Sequence, residues 1–264
     1  ALESPFERAF WDRRRGRSVV EHLADIGLLG PRTSLAHGTW ATERDIEICA
    51  RTGTTVCHNP SSNLRLRNGI APVARMLEAG VNVAIGIDSY GLSSGDDMLE
   101  EMRLAGALAR LPPRRRFRRA PDSFDVLRMA SVNGAKATTL ARASGTLVAG
   151  GAADAVLIDL EALSRPYLDE RVHVVDALVS LGRPEHVDSV MIAGRLVLSG
   201  GRFVTLDEES VARELAAVAK AGLTPAVGEL ASLARDLRPH LTRYYDERAS
   251  GDGASPYYAI NSRF

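Results

Sequence analysis

Three polar residues stand at the carboxyl ends of three short apolar runs. SLAH ends on His37, TVCH ends on His58, and VNVAIGID ends on Asp88. A carboxylate at a strand tip can bind a hard or borderline metal ion and take a proton from water held there. A histidine, neutral near pH 7, can bind metal or carry a proton. Taken singly, each has an ordinary structural explanation. Asp88 opens SYGLSSGDD and would cap a turn, and a histidine closing a strand commonly serves as a hydrogen-bonded structural residue. Taken together, at equivalent positions of successive units, they point to one site. Glu3, in ALES, has no local pattern behind it and alone reads as a solvated surface acid. His22, His173, His186 and His240 lack comparable placement and read as structural.

The elements that would position these residues alternate between β-rich runs and helical patterns, which is the signature of βα units on a parallel sheet. Thr33 to Ala36 reads as a strand. Thr42, with Asp45 three residues on, reads as the N-cap of a helix over 42–51. Thr54 to Cys57 is a second strand, and the Asn, Ser, Pro and Gly of NPSSNLRLRNG predict an irregular loop. Ala71 to Ala79 reads as a helix closed by Gly80, Val81 to Ile87 as a third strand, and DMLEEMRLAGALAR as a helix with Met98, Met102, Leu104 and Leu108 on its apolar face. In β/α barrels the loops after the strands converge on one face, and chemistry sits there. SFDVLRMASVNGAKATTL predicts one or two further helices. GTLVAGGAADAVLIDL and VDSVMIAGRLVLSGGRFV then carry the Gly-punctuated short runs of antiparallel structure, giving a small β domain at 144–206. Residues 207–248 return to a helical pattern, and GDGASPYYAINSRF reads as loop.

Composition excludes several function classes. The chain has 264 residues, 45% of them hydrophobic, which is enough for a real core. Lys+Arg and Asp+Glu balance at 33 each, so nothing in the net charge draws the chain to nucleic acid or an anionic membrane. The run Arg114 to Arg119 lacks the wider basic face and aromatic interleaving of a nucleic-acid site. No window has the length of a membrane helix, and ALESPFERAFWDRRR lacks a secretory apolar region. Cys49 and Cys57 show no ligand or disulfide spacing, which fits a reducing, cytoplasmic setting.

The stretch LAHGTWATERDIEICARTGTTVCHNPSSNLRLRNGIAPVARMLEAGVNVAIGIDS resembles the amidohydrolase superfamily. The branch is the one that holds cytosine and guanine deaminases, methylthioadenosine/S-adenosylhomocysteine deaminases and triazine chlorohydrolases. The ordered set AH-x-x-W, H-N-P-x-S-N and G-x-D carries the likeness, which extends through DMLEEMRLA and SVNGAKATTL into GTLVAGGAADAVLIDL. The resemblance implies a (β/α)8 barrel with one divalent metal ion, zinc first and iron as the alternative. It implies Asp88 as metal ligand and proton acceptor, His37 as the group that polarises substrate or orients water, and Glu3 as proton donor to a ring nitrogen or leaving group. His37, His58 and Asn63 are then expected at the substrate.

The family's first-strand H-x-H pair, and the histidine three residues before its glutamate, are absent from this sequence. The resemblance therefore implies an α/β chain made of three parts: the second half of a barrel (1–143), part of a small β-sandwich (144–206) and a helical extension (207–264). Asp88 is the one metal ligand it implies here. The expected activity is hydrolytic deamination of a small purine, pyrimidine or triazine, with triazine chloro- or aminohydrolysis as the alternative. An alternative of another class is a non-catalytic half-barrel that works as an assembly or binding module. Half a barrel leaves strand edges and an apolar interior open, so a homo-oligomer or a missing N-terminal half is expected to cover them.

Overall fold

Helix starts are written strongly into this chain. In the computed structural model, which describes residues 1–89, 95–111, 120–138, 145–222 and 224–249, Ser4 caps α1 (Pro5–Arg15) with Pro5 in the first turn. Ser18 and Glu21 form a capping box at α2 (Val19–Asp25). The predicted Thr42–Asp45 signal is likewise a capping box. Strand β1 (Ser34–Ala36) precedes it, and it opens α3 (Glu43–Thr52). Asp45 is buried and does more than cap. Its carboxylate also accepts from the Arg8 guanidinium of α1 at 3.1 Å and from the Ser18 hydroxyl at the start of α2. One acid thus ties three helix termini together.

The next strand, β2 (Thr55–His58), includes His58 itself. Residues predicted as irregular loop form instead a short helix, α4 (Pro60–Arg65), with Pro60 in its first turn. Proline has no amide to lose at that position and its fixed φ suits it, so the loop-like composition concealed a helix start. Then come α5 (Val73–Glu78) and β3 (Val83–Ile85), the latter shorter than the predicted run of 81–87. The three strands pair in parallel in the order β1-β2-β3, with Leu35 opposite Val56 and Val56 opposite Val83. The ladder continues past β3, where the Gly86 amide donates to the His58 carbonyl. Ala1 and Leu2 run beside the end of β1. The Ala1 amine donates to the Ala36 carbonyl at 2.8 Å, and the amides of Gly38 and Trp40 donate to the carbonyls of Ala1 and Leu2. That pairing fixes Glu3 next to the tip of β1.

Helices α6 (Met98–Leu108), α7 (Ser123–Ala130) and α8 (Val132–Ala137) follow. The buried face of α6 is Glu101, Met102, Ala105 and Gly106, rotated from the predicted stripe. Val83, Ile85, Met102, Val126 and Met129 belong to one core with Ile46, Val56 and Met76.

Beyond residue 145 the sheet is antiparallel, as predicted. β4 (Ala155–Ile158) leads to α9 (Leu160–Leu163) and α10 (Val174–Leu181), and the chain returns through β5 (Val187–Ile192), β6 (Arg195–Ser199) and β7 (Arg202–Phe203) in the order β4-β5-β6-β7. Helix α10 packs on α6 and α7, and Arg103 of α6 donates to the Gly182 carbonyl at 3.1 Å. Helices α11 (Glu208–Ala221) and α12 (Pro225–Ala249) complete the described chain. Most of the YGLSSGDD loop, the Arg114–Arg119 run, the expected boundary at 143/144 and the tail GDGASPYYAINSRF lie outside the described residues.

Candidate active site

The tip of β1 bends sharply. His37 (φ 73°) and Gly38 (φ 62°) both adopt left-handed backbone, which is uncommon for a residue with a side chain and recurs where function fixes geometry. At position 38 a Cβ atom would lie 2.9 Å from Val56 Cγ1, so only glycine fits. The bend turns the imidazole of His37 toward two carboxylates. Its Nε2 lies 3.7 Å from Glu3 Oε2 and 3.8 Å from Asp88 Oδ2. Three predicted residues, two following the edge strands of the sheet and one from the segment beside it, therefore come close together.

Each of the three is held from the same stretch of chain. Asn63 Oδ1 lies 3.0 Å from His37 Nδ1. The Ser62 hydroxyl donates to Asp88 Oδ2 at 2.7 Å, while the Ser89 amide donates to Asp88 Oδ1. Asn68 Nδ2 donates to Glu3 Oε1 at 2.9 Å, and Asn68 is itself pinned by Trp40, whose indole donates to its carbonyl at 2.7 Å. Ser61 anchors the stretch, because its amide and hydroxyl both donate to the buried carboxylate of Glu101 on α6. Burial pushes the Glu101 carboxyl up, and the Ser61 hydrogen bonds work against that shift. A Cβ atom at position 86 would lie 2.6 Å from Asn59 Oδ1, so a side chain there would force Asn59 to move.

His58 ends the middle strand, 1% exposed, and its Nδ1 has no partner among the described residues. Burial, and then the neighbouring His37, hold it down to about 4, so it is neutral at physiological pH. Asn63 is equally buried, and its Nδ2 has no partner among the described residues. Neither thiol offers a nucleophile: burial pushes Cys49 up to about 12 and raises Cys57 as well.

Sequence reasoning named Glu3, His37 and Asp88, which meet, and Asn63, which touches His37. It missed Ser61, Ser62, Asn68 and Glu101. The string HNPSSN carried the signal for the two serines, but the loop reading hid that a helical turn aims successive side chains at different elements. Nothing local marks Asn68 or Glu101.

Glu3 Oε2 and Asp88 Oδ2 both lie within 4 Å of His37 Nε2, close enough for acid–base groups to act on one substrate. Asp88 is partly exposed and suits one ligand position on a divalent ion. A firm zinc or iron site takes three or four protein donors. Among the described residues no group of three or more His, Cys, Asp or Glu side chains is arranged to hold a metal ion. The donor set here fits part of such a site.

A model of the amidohydrolase family matches residues 5–197. A 5'-deoxyadenosine deaminase of Methanosarcina mazei is 36% identical over 213 residues, covering 81% of this chain and 48% of the relative. A 5-methylthioadenosine/S-adenosylhomocysteine deaminase of Thermococcus onnurineus is 39% identical over 188 residues, covering 70% of this chain and 42% of that protein. Among solved structures, a zinc-bound adenosine deaminase from Xanthomonas campestris superimposes with a TM-score of 0.75 at 31% identity, over 81% of this chain and 48% of the other. The chain spans about half the length of the curated relatives it matches.

Proposed function

The chain belongs to the amidohydrolase family, and from that premise we propose that it carries the acid–base part of a metal-dependent deaminase site acting on a small heterocycle. The observation that carries this reading is the meeting of Glu3 and Asp88 at His37 Nε2. Identity to deaminases of adenosine derivatives favours an adenosine-type nucleoside as substrate over a triazine. Domain limits of 1–143 for the second half of the barrel, 144–206 for part of the small β-sandwich and 207–264 for the helical extension belong to the same reading.

A divalent ion, zinc with iron as the alternative, would activate water and polarise the ring, and Asp88 would be its ligand from this chain. The other donors would come from polypeptide beyond these residues, a reading supported by relatives about twice as long. In the reaction, a water oxygen bonds to the amino-bearing ring carbon while Asp88 accepts one of the water's protons. Glu3 donates a proton to the adjacent ring nitrogen, and His37 orients the water through Nε2. The carbon–nitrogen bond to the amino group then breaks, ammonia leaves with the proton that Asp88 returns, and the new hydroxyl becomes a carbonyl as its proton restores Glu3. Two partly exposed carboxylates that both approach His37 Nε2 suit this division of labour.

Ammonia release from 5'-deoxyadenosine, methylthioadenosine, S-adenosylhomocysteine, guanine and a chlorotriazine, measured alongside metal content, tests the proposal. The expected result is turnover of an adenosine derivative with about one metal per active site. No ammonia from any substrate, or less than about a tenth of an equivalent of metal after purification without chelator, would overturn it.

A further inference from the structure

We propose that residues 59–68 form a positioning segment that aims all three acid–base side chains at once, and that it sets His37 in the Nδ1–H tautomer. The inference rests on the reading of the site as a deaminase centre, and it assigns roles to Ser62, Asn63 and Asn68.

Ser62, Asn63 and Asn68 reach Asp88, His37 and Glu3 respectively, so each acid–base group has one partner from a single short stretch. The stretch is rigid for stated reasons. Helix α4 fixes the directions of Ser62 and Asn63, Ser61 is bonded twice to Glu101, and Asn68 is held by the Trp40 indole. Ser62 and Asn63 are buried almost completely. Burial gives them no open surface on which to meet a substrate, and their polar atoms face the acid–base groups. An amide oxygen can only accept, so Asn63 Oδ1 accepts a hydrogen bond from His37 Nδ1–H. Nε2 then presents a lone pair on the side of the two carboxylates, where a water molecule can donate to it. Hydrogen bonds behind a reacting side chain fix its tautomer and orientation, and losing them commonly costs about 10–100-fold in activity.

Two measurements test this. Nitrogen NMR of the 264-residue chain should find His37 Nδ1 protonated and Nε2 bare. Asn63→Ala should mix the tautomers, while Asn63→Asp, which keeps an acceptor in place, should restore the wild-type pattern. A protonated Nε2 with a bare Nδ1 in the wild-type chain would overturn the proposal whatever the variants do. In the polypeptide that releases ammonia, Ser62→Ala and Asn68→Ala should each lower kcat about 10–100-fold with KM within about threefold. Asn68→Ala should cost much less when added to Glu3→Gln than alone, because a group acting through Glu3 has nothing left to aim. Both kcat values within twofold of wild type, or full additivity with Glu3→Gln, would also refute it. Should no substrate be turned over, the deaminase reading falls while the nitrogen spectra still decide the positioning role.

Discussion

Two sheets share this chain, and they are finished to different degrees. The parallel sheet β1-β2-β3 is covered by helices, with Val83 fully buried, and the loops and helices around it hold almost all the buried polar side chains among the described residues; Ser189 alone lies beyond position 124. The antiparallel sheet β4-β5-β6-β7 pairs strand to strand, with register shifts at Leu157/Ile158 and Val190/Met191, yet leaves Leu157 53% exposed, with Val156, Ile192, Leu196 and Phe203 open as well. Helices α11 and α12 likewise keep Leu215, Val218, Leu230 and Leu241 exposed. Backbone pairing therefore makes a sheet, but a second layer makes a core. Only where that layer exists can side chains such as Asn63 or Glu101 be buried with polar work to do. Precise chemistry needs the finished half.

The sharpest way to break this contrast is at the acid–base groups. In the ammonia-releasing polypeptide, Glu3→Gln and Asp88→Asn should each lower kcat by about 10²–10⁴, the usual contribution of a positioned general acid or base. Leu157→Ser, in the open sheet, should leave kcat unchanged within twofold. Equal losses from both regions would end the assignment of chemistry to the parallel sheet. Stability should divide the same way. Ile46→Ala, at a site 1% exposed, should cost about 2–5 kcal/mol in urea unfolding, whereas Leu157→Ala should stay within about 0.5 kcal/mol.

Acid should also act on the finished half first. The unfolded chain protonates His58 near its ordinary value of 6.5, but the folded chain holds that group down to about 4. The unfolded state thus binds more protons between these values. The stabilisation is complete above about pH 6.5, falls as pH falls, and levels off below about 4. The expected loss is on the order of 3 kcal/mol. His58→Gln should remove this slope from the dependence of the urea midpoint on pH, and a variant that keeps it would show that another group is responsible.

How much of this was legible in the sequence follows the same division. The short apolar runs leading to His37, His58 and Asp88, and the Thr42–Asp45 cap, are local signals, and these were read correctly to within a few residues. Asn68 reaches Glu3 across 65 positions, and Ser61 reaches Glu101 across 40. No pattern in a window can report partners at such separations, because tertiary packing alone brings them together. Helix α4 was missed for another reason: proline and serine favour turns on average, yet favour a helix when they fall in its first turn. The openness of β4-β7 was equally invisible, since alternation predicts a face to be covered without saying what covers it.

The smallest test uses two helix caps of similar chemistry. Thr42 opens α3 in the buried region, and its amide and hydroxyl also bind the Asp45 carboxylate that joins α1, α2 and α3. Asp207 opens α11, where its side chain accepts from the Ser210 amide and no residue of the helix is buried. Intrinsically each cap contributes about 1 kcal/mol. In α3 that loss should pass in full to the global unfolding midpoint, because the helix cannot open without exposing Ile46 and Ile48. In α11 it should appear only as faster amide exchange within the helix, since opening there exposes little that the fold relies on. Thr42→Ala and Asp207→Ala, compared by urea unfolding and hydrogen exchange, should therefore separate cleanly. A midpoint shift of the same size from Asp207→Ala would mean that α11 is packed in solution and that the second half of the chain is more finished than its exposed side chains suggest.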